Sequence, residues 1–174
     1  MKFVRNFWDL EVYKVARELQ TEVFELSKKF PSDERFSLTD QIRRSSRSVG
    51  AQIAESWGKR RYEKHFISKL TDADSEQFET QHWLLTAVDS AYITQEEAKP
   101  LILKCRRIGK MLGGAIANSQ KFCDPEYGSK GNKVKEGELE YFVWPERGTE
   151  SFGSEPFGPE GYASDACGGE GNQM

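Results

Sequence analysis

The sequence is poor in the residues that build most active sites. It has two histidines, His65 and His82, and three cysteines, Cys105, Cys123 and Cys167. An odd number of cysteines with no CxxC pair argues against a disulfide framework or a zinc knuckle and suits a reducing compartment. No apolar run approaches the roughly 20 residues of a membrane span. The opening stretch MKFVRNFWDLEVYK is charged throughout and has no apolar signal-peptide core. A cytoplasmic protein with no membrane partner is the expectation. There is no phosphate loop, no dinucleotide fingerprint and no nucleophile beside a plausible base. The one spacing that hints at metal chemistry is Glu79-x-x-His82, the i, i+3 pair of di-iron bundles. Such a site needs a second pair, and Tyr62 stands where a glutamate would have to precede His65. A polar pair on a helix surface is the simpler reading. The expectation is a non-enzyme with no catalytic residue, no metal and no cofactor.

Charge is what the chain does have. Of its 174 residues, 30% are charged and 37% hydrophobic, an ordinary balance for a domain with solvated helices. The net charge of -3 hides an asymmetry. From position 124 onward there are 11 acidic and 4 basic residues, so residues 1–123 carry a net +4. Seven of their basic residues lie between positions 43 and 64: Arg43, Arg44, Arg47, Lys59, Arg60, Arg61 and Lys64. Clustering of this kind, more than net charge, points to a polyanion partner.

Hydrophobic periodicity predicts four helices. The first should run from about position 8 to 29 on Leu10, Tyr13, Ala16, Leu19, Val23, Leu26 and Phe30, with Asp9 as N-cap and Pro31 beyond its end. The second should cover 38–57, with Ser37 as N-cap, Asp40 completing a capping box, and Leu38, Ile42, Val49, Ile53 and Trp57 facing the core. Gly50 in its middle predicts close packing or a bend, and Gly58 a left-handed terminus. Gly50, Ala51 and Ala54 form a small-residue face suited to helix packing or oligomerisation. The third helix should run from about 62 to 91, with a core stripe that turns polar at Gln77 and Thr80. Thr94 and Glu97 predict a capping box for the fourth, which should be distorted near Pro100 and fade by 118–122. Lys104, Arg106, Arg107 and Lys110 fall on its outer side, and Gly109, Gly113 and Gly114 suggest close helix contact.

Four amphipathic helices with short connections predict an all-α, up-down-up-down four-helix bundle over residues 1–123. Residues 124–174 are rich in Gly, Glu, Ser and Pro, which predicts a mostly irregular acidic C-terminal tail. Two accounts of that tail stand. It is a solvated appendage, or Glu136, Glu138 and Glu140 lie against the basic turn at 59–61 and mask it. On the second account, a chain ending at Phe122 binds nucleic acid more tightly than the full chain at low salt.

Several short motifs in fixed order carry a resemblance. They are D-L-x-V-Y-K-x-A from Asp9, K-K-F-P from Lys28, L-T-x-Q-I-R-R from Leu38, Ile53-Ala54-Glu55, Ser75-Glu76, Glu79-Thr80-Gln81 and Ile108-Gly109-Lys110-Met111-Leu112. Together they resemble the four-helix-bundle family of the 23S rRNA intervening-sequence protein over nearly all of residues 7–117. The chain departs from that family at Gly50, where proline is common, at Gln52 for asparagine and at Ser56 for glycine, which bears on the bend of the second helix. The resemblance implies a bacterial homo-oligomer, most plausibly a pentamer. It also implies similarity to the accessory protein of diversity-generating retroelements, which works with a reverse transcriptase and nucleic acid.

Three readings of function follow. In the first, the seven basic residues contact the phosphates of RNA or DNA, the outer side of the fourth helix adds a second patch, and Tyr62 and His65 stack on bases. In the second, the protein is a structural or protein-interaction oligomer, and the arginines at 43, 44 and 47 pair with Asp72, Glu76 and Glu79 across the bundle or between subunits. For the turn at 59–61 the first reading is the stronger, because only Glu55 and Glu63 lie near it in sequence. The third, a metal enzyme, has too few ligands.

Overall fold

A computed structural model of the chain describes residues 6–123. Four helices fill this span: α1 Glu11–Leu26, α2 Leu38–Gly58, α3 Glu63–Asp89 and α4 Gln95–Ala117. Each packs on its neighbours in sequence, and α4 closes the ring against α1. The described residues therefore form the expected up-down-up-down bundle, with no strand among them. The acidic segment expected beyond position 123 lies outside the described residues.

The core is the set of stripes that periodicity predicts. Leu19, Val23, Ile42, Val49, Ile53, Leu84, Ile108 and Leu112 are almost wholly buried. Val12 and Val15 join them from α1, off the predicted line, because the apolar face there is wider than a single stripe. At mid-height the core is polar. The Thr80 hydroxyl lies 2.9 Å from the Glu76 carbonyl and 3.0 Å from Ser45 Oγ, and its one proton serves either acceptor. The buried Gln77 donates to Asp74 at 3.0 Å and accepts from Gln81 at 2.7 Å. Every buried polar side-chain atom among the described residues has a partner, which is what makes such a layer tolerable.

Helix ends depart from expectation for local reasons. Asp9 is not the N-cap of α1. It closes a 3-10 turn, Phe7–Asp9, in which its carboxylate accepts from the Asn6 N–H at 3.1 Å, and Leu10 occupies the cap position. Ser37 precedes α2 but does not cap it with its side chain, and Asp40 makes no capping box. Glu34 does the work instead: its carboxylate accepts from Ser37 Oγ, from the Leu38 N–H at 3.2 Å and from the Tyr92 hydroxyl at 3.0 Å. Gly58 is the last helical residue, not a left-handed terminus. That conformation falls to Ala91 after α3, at φ 56°, where the Tyr92 N–H reaches the Ala87 carbonyl at 3.0 Å and the Ala91 N–H reaches Val88 at 2.9 Å. The capping box of Thr94 and Glu97 forms as predicted. The helix then runs through Pro100 without restarting at Lys99; Pro100 lies on an exposed side, where water can satisfy the carbonyl it leaves unpaired.

Three hydrogen bonds to one carboxylate, that from Ser37 foremost, hold Glu34 below the usual carboxylate range. A lowered folded pKa means stability that is fully present above the unfolded value and lost as pH falls through the folded one. Stepwise urea unfolding between neutral and acid pH should therefore show a steeper acid-side decline for the parent than for Glu34→Gln. Identical slopes would mean that Glu34 is not the cap.

Candidate nucleic-acid interface

The seven basic residues predicted as a site occupy two places. Arg43, Arg44 and Arg47 lie near the start of α2, and Lys59, Arg60, Arg61 and Lys64 lie around the α2–α3 turn at the other end of the bundle. Helix α2 separates the two groups by 12 residues from Arg47 to Lys59, about 18 Å at about 1.5 Å per residue.

At the first place the arginines make no ion pair with Asp72, Glu76 or Glu79 across the bundle; of the two forms of that pairing, only the one between subunits is left. Arg43 turns to α1, where Nε donates to Ser27 Oγ at 2.7 Å and Cζ stands 4.8 Å from the centre of the Phe24 ring. Arg47 approaches the same ring at 6.0 Å and Lys28 at 4.9 Å. Arg44 is exposed and only 3.9 Å from Asp40, a weak surface pair. The acids of α3 have other business. Asp72 and Glu55 bind Lys69 at 3.3 and 2.9 Å, and Glu79 accepts from the Trp83 indole at 3.0 Å. Glu76 is raised by burial first and by Glu79 next, against the lowering effect of Arg44.

At the turn, the Arg60 guanidinium stacks on Trp57, 3.4 Å from the ring centre, and its Nε donates to the Trp57 carbonyl at 2.7 Å. Arg61 lies 5.5 Å from the Tyr62 ring, and Tyr62 packs against His65 at 5.5 Å. Tyr62 is 56% exposed. Lys59, Arg61 and Lys64 are exposed and make no ion pair with the described residues. Behind the turn, Phe122 stacks on Phe66 and Ser119 donates to Glu63 at 2.5 Å, which brings the end of the described chain beside it.

The second patch expected on α4 is divided. Lys104 sits between Glu22 at 2.6 Å and Glu18 at 3.1 Å, and Arg107 reaches Glu11 at 2.8 Å. Burial alone would lower Lys104, but the two carboxylates outweigh it and the net shift is upward. Lys104 thus fastens α4 to α1, the Arg107–Glu11 pair lies at the surface, and Arg106 and Lys110 are exposed with no ion pair among the described residues. Gly50 is buried against Tyr13 of the same chain, Ala54 is half-buried and Ala51 exposed. Of the α4 glycines, Gly109 meets α3 closely, whereas no described residue lies within 4 Å of a Cβ at Gly113 or Gly114, so the close contact expected there is not made among the described residues.

Chemistry finds little purchase. Glu79 and His82 both lean on Trp83 and face no third ligand, and no group of three or more His, Cys, Asp or Glu among the described residues could hold a metal. Cys105 is buried, and its thiol is pushed up to about 12 by that burial. Phe24 is the site residue that sequence reasoning passed over. It lies off the core stripe of α1, and its role depends on the arginines of another helix; only the Phe24–Lys28 spacing of four hinted at it.

Bundle topology and a charged, aromatic-lined exterior define the class: an antiparallel four-helix bundle that displays cations on its surface. The particular family follows from comparison. The family of the 23S rRNA-intervening sequence protein matches residues 8–114, and the chain belongs to it. A crystal structure from Bacteroides thetaiotaomicron, of a protein of unknown function in the S23 ribosomal protein family, is 30% identical. That match has a TM-score of 0.55 and covers 60% of this chain and 97% of the other. No match is found among curated proteins. No described helix is long and apolar enough to cross a membrane.

Proposed function

We propose that this protein is a non-enzymatic, oligomeric helical scaffold that binds RNA or DNA through the basic turn between α2 and α3. The observation that carries this reading is a contrast among cations. Lys69 and Lys104 are half-buried and each is held by two carboxylates, whereas Lys59, Arg61 and Lys64 are exposed beside Tyr62 and form no ion pair among the described residues. Unpaired surface cations next to an aromatic platform suit phosphate and unstacked bases. A pentamer would multiply the turn fivefold and raise the avidity for a long polyanion. The proposed location is the cytoplasm, and a nucleic-acid enzyme such as a reverse transcriptase is the kind of protein that would share the ligand.

A specific observation favours a second reading, a purely structural or interaction oligomer. Phe36, Phe78, Leu85 and Leu103 are 85%, 61%, 53% and 53% exposed, more apolar surface than a lone bundle needs to show. Light-scattering mass together with fluorescence anisotropy on a labelled RNA separates the two. A multimer that binds RNA with a salt-dependent affinity supports the scaffold, and a multimer indifferent to RNA and DNA supports the second reading.

A further inference from the structure

The two basic places are joined by an exposed face of α2 that carries one acid between them, Glu55. Along α2 the exposed line from Arg47 passes Ala51, the half-buried Ala54 and Gly58 before it reaches Lys59. That acid, Glu55, is engaged by Lys69 at 2.9 Å, which offsets its charge. On α1, Glu11, Glu18 and Glu22 pair with Arg107 and Lys104 of α4. At one end of the line Phe24 gathers Arg43, Arg47 and Lys28 within 6.0 Å of its ring, and only Lys28 has a carboxylate, Glu25 at 2.7 Å. The ring orients the guanidinium groups without consuming their donors. Arg43 commits Nε to Ser27 and keeps both terminal nitrogens, and Arg47 makes no hydrogen bond to the described residues.

We propose that the exposed face of α2 is a track for single-stranded nucleic acid, running from the arginines gathered on Phe24 to the basic turn, with Ala51 and Ala54 as its floor. This rests on the reading that the turn binds nucleic acid, and it assigns a second contact and a polarity-free path between the two. The small side chains let the sugar-phosphate backbone approach the helix, and the cations stand only at the ends. The gap sets a length. A stacked strand rises about 3.4 Å per nucleotide, so about five or six nucleotides are needed to span the roughly 18 Å between Arg47 and Lys59. The exposed Tyr62 ring at the turn favours a single strand over a duplex because unpaired bases have free faces to stack.

The test compares labelled homopolymer RNAs of about 4 and about 12 nucleotides, with a 12-base-pair duplex of about equal length, on the full chain. The parent should bind the long strand more tightly than the short one or the duplex. Arg43→Gln with Arg47→Gln, which keeps most of the side-chain stems, should weaken the long strand about tenfold. It should lower the slope of log affinity against log salt by about 1.4, for two contacts of about 0.7 each, and change the short strand by no more than about twofold. Ala51→Glu, on an exposed position, should weaken the long strand alone. A long strand bound equally by the parent and the arginine variant overturns the track and leaves the turn standing. No binding of any nucleic acid by the parent overturns the proposed function itself. A duplex bound as tightly as the long strand overturns the single-strand assignment, and an assembly mass altered by Ala51→Glu assigns the face to a second copy instead.

Discussion

Gly109→Leu is expected to destabilise the bundle by about 3 kcal/mol, whereas Gly50→Ala is expected to stabilise it by about 0.5 to 1 kcal/mol. Both glycines sit in helix interiors, where alanine is intrinsically better, so the difference comes from what each one faces. A Cβ at Gly109 would stand 3.1 Å from Asp74 Oδ1 and 3.2 Å from Gln77 Nε2. Those two atoms bond each other at 3.0 Å, and the buried Gln77 has no slack because Gln81 holds its other end. A leucine there must push α4 from α3 or break a buried amide's hydrogen bonds. Overpacking costs about 1 to 3 kcal/mol and an unsatisfied buried group a similar amount. At Gly50 the nearest atom to a new methyl is Tyr13 Cε2 at 3.8 Å, an ordinary contact. Urea unfolding with an unchanged slope and shifted midpoints would record both effects. A Gly109→Leu protein as stable as the parent would show that the α3–α4 spacing does not depend on this glycine.

Replacing Lys59, Arg61 and Lys64 together with alanine is expected to lower the salt slope of RNA binding by about 2, from three lost contacts of about 0.7 each. Between about 50 and 200 mM salt the parent should then lose about 20-fold more affinity than the variant. All three side chains are exposed and unpaired among the described residues, so the fold should be untouched. Arg60 is left in place because it is packed on Trp57 and its removal would confuse charge with stability. Unchanged circular dichroism and an altered slope would locate the contact at the turn. A variant with the parent's slope would remove the turn from the interface, whatever the absolute affinities.

The number of helices, their order and most of the core were legible in the chain because they follow from the period of apolar residues, a local property that a helix converts directly into one face. Leu70, Ala73, Leu84 and Ala87 on α3, and Ala98, Leu101, Cys105 and Ile108 on α4, are buried where that period puts them. The Thr94 capping box was legible for the same reason, since all its partners lie within four residues. The cap of α2 was not. Ser37 fits the local pattern for a capping residue, but the carboxylate of Glu34, fixed from afar by Tyr92, occupies the position first. The candidate interface divides in the same way. That the chain clusters cations between positions 43 and 64 is a fact of sequence. Which of the chain's cations are neutralised was decided only when helices far apart in sequence came together. Lys104 and Arg107 found α1 acids 82 to 96 residues away, and Arg43 found Phe24 across the α1–α2 seam. Charge composition is carried by the sequence; whether a given charge is paired depends on distances of a few ångströms, and those are set by tertiary packing.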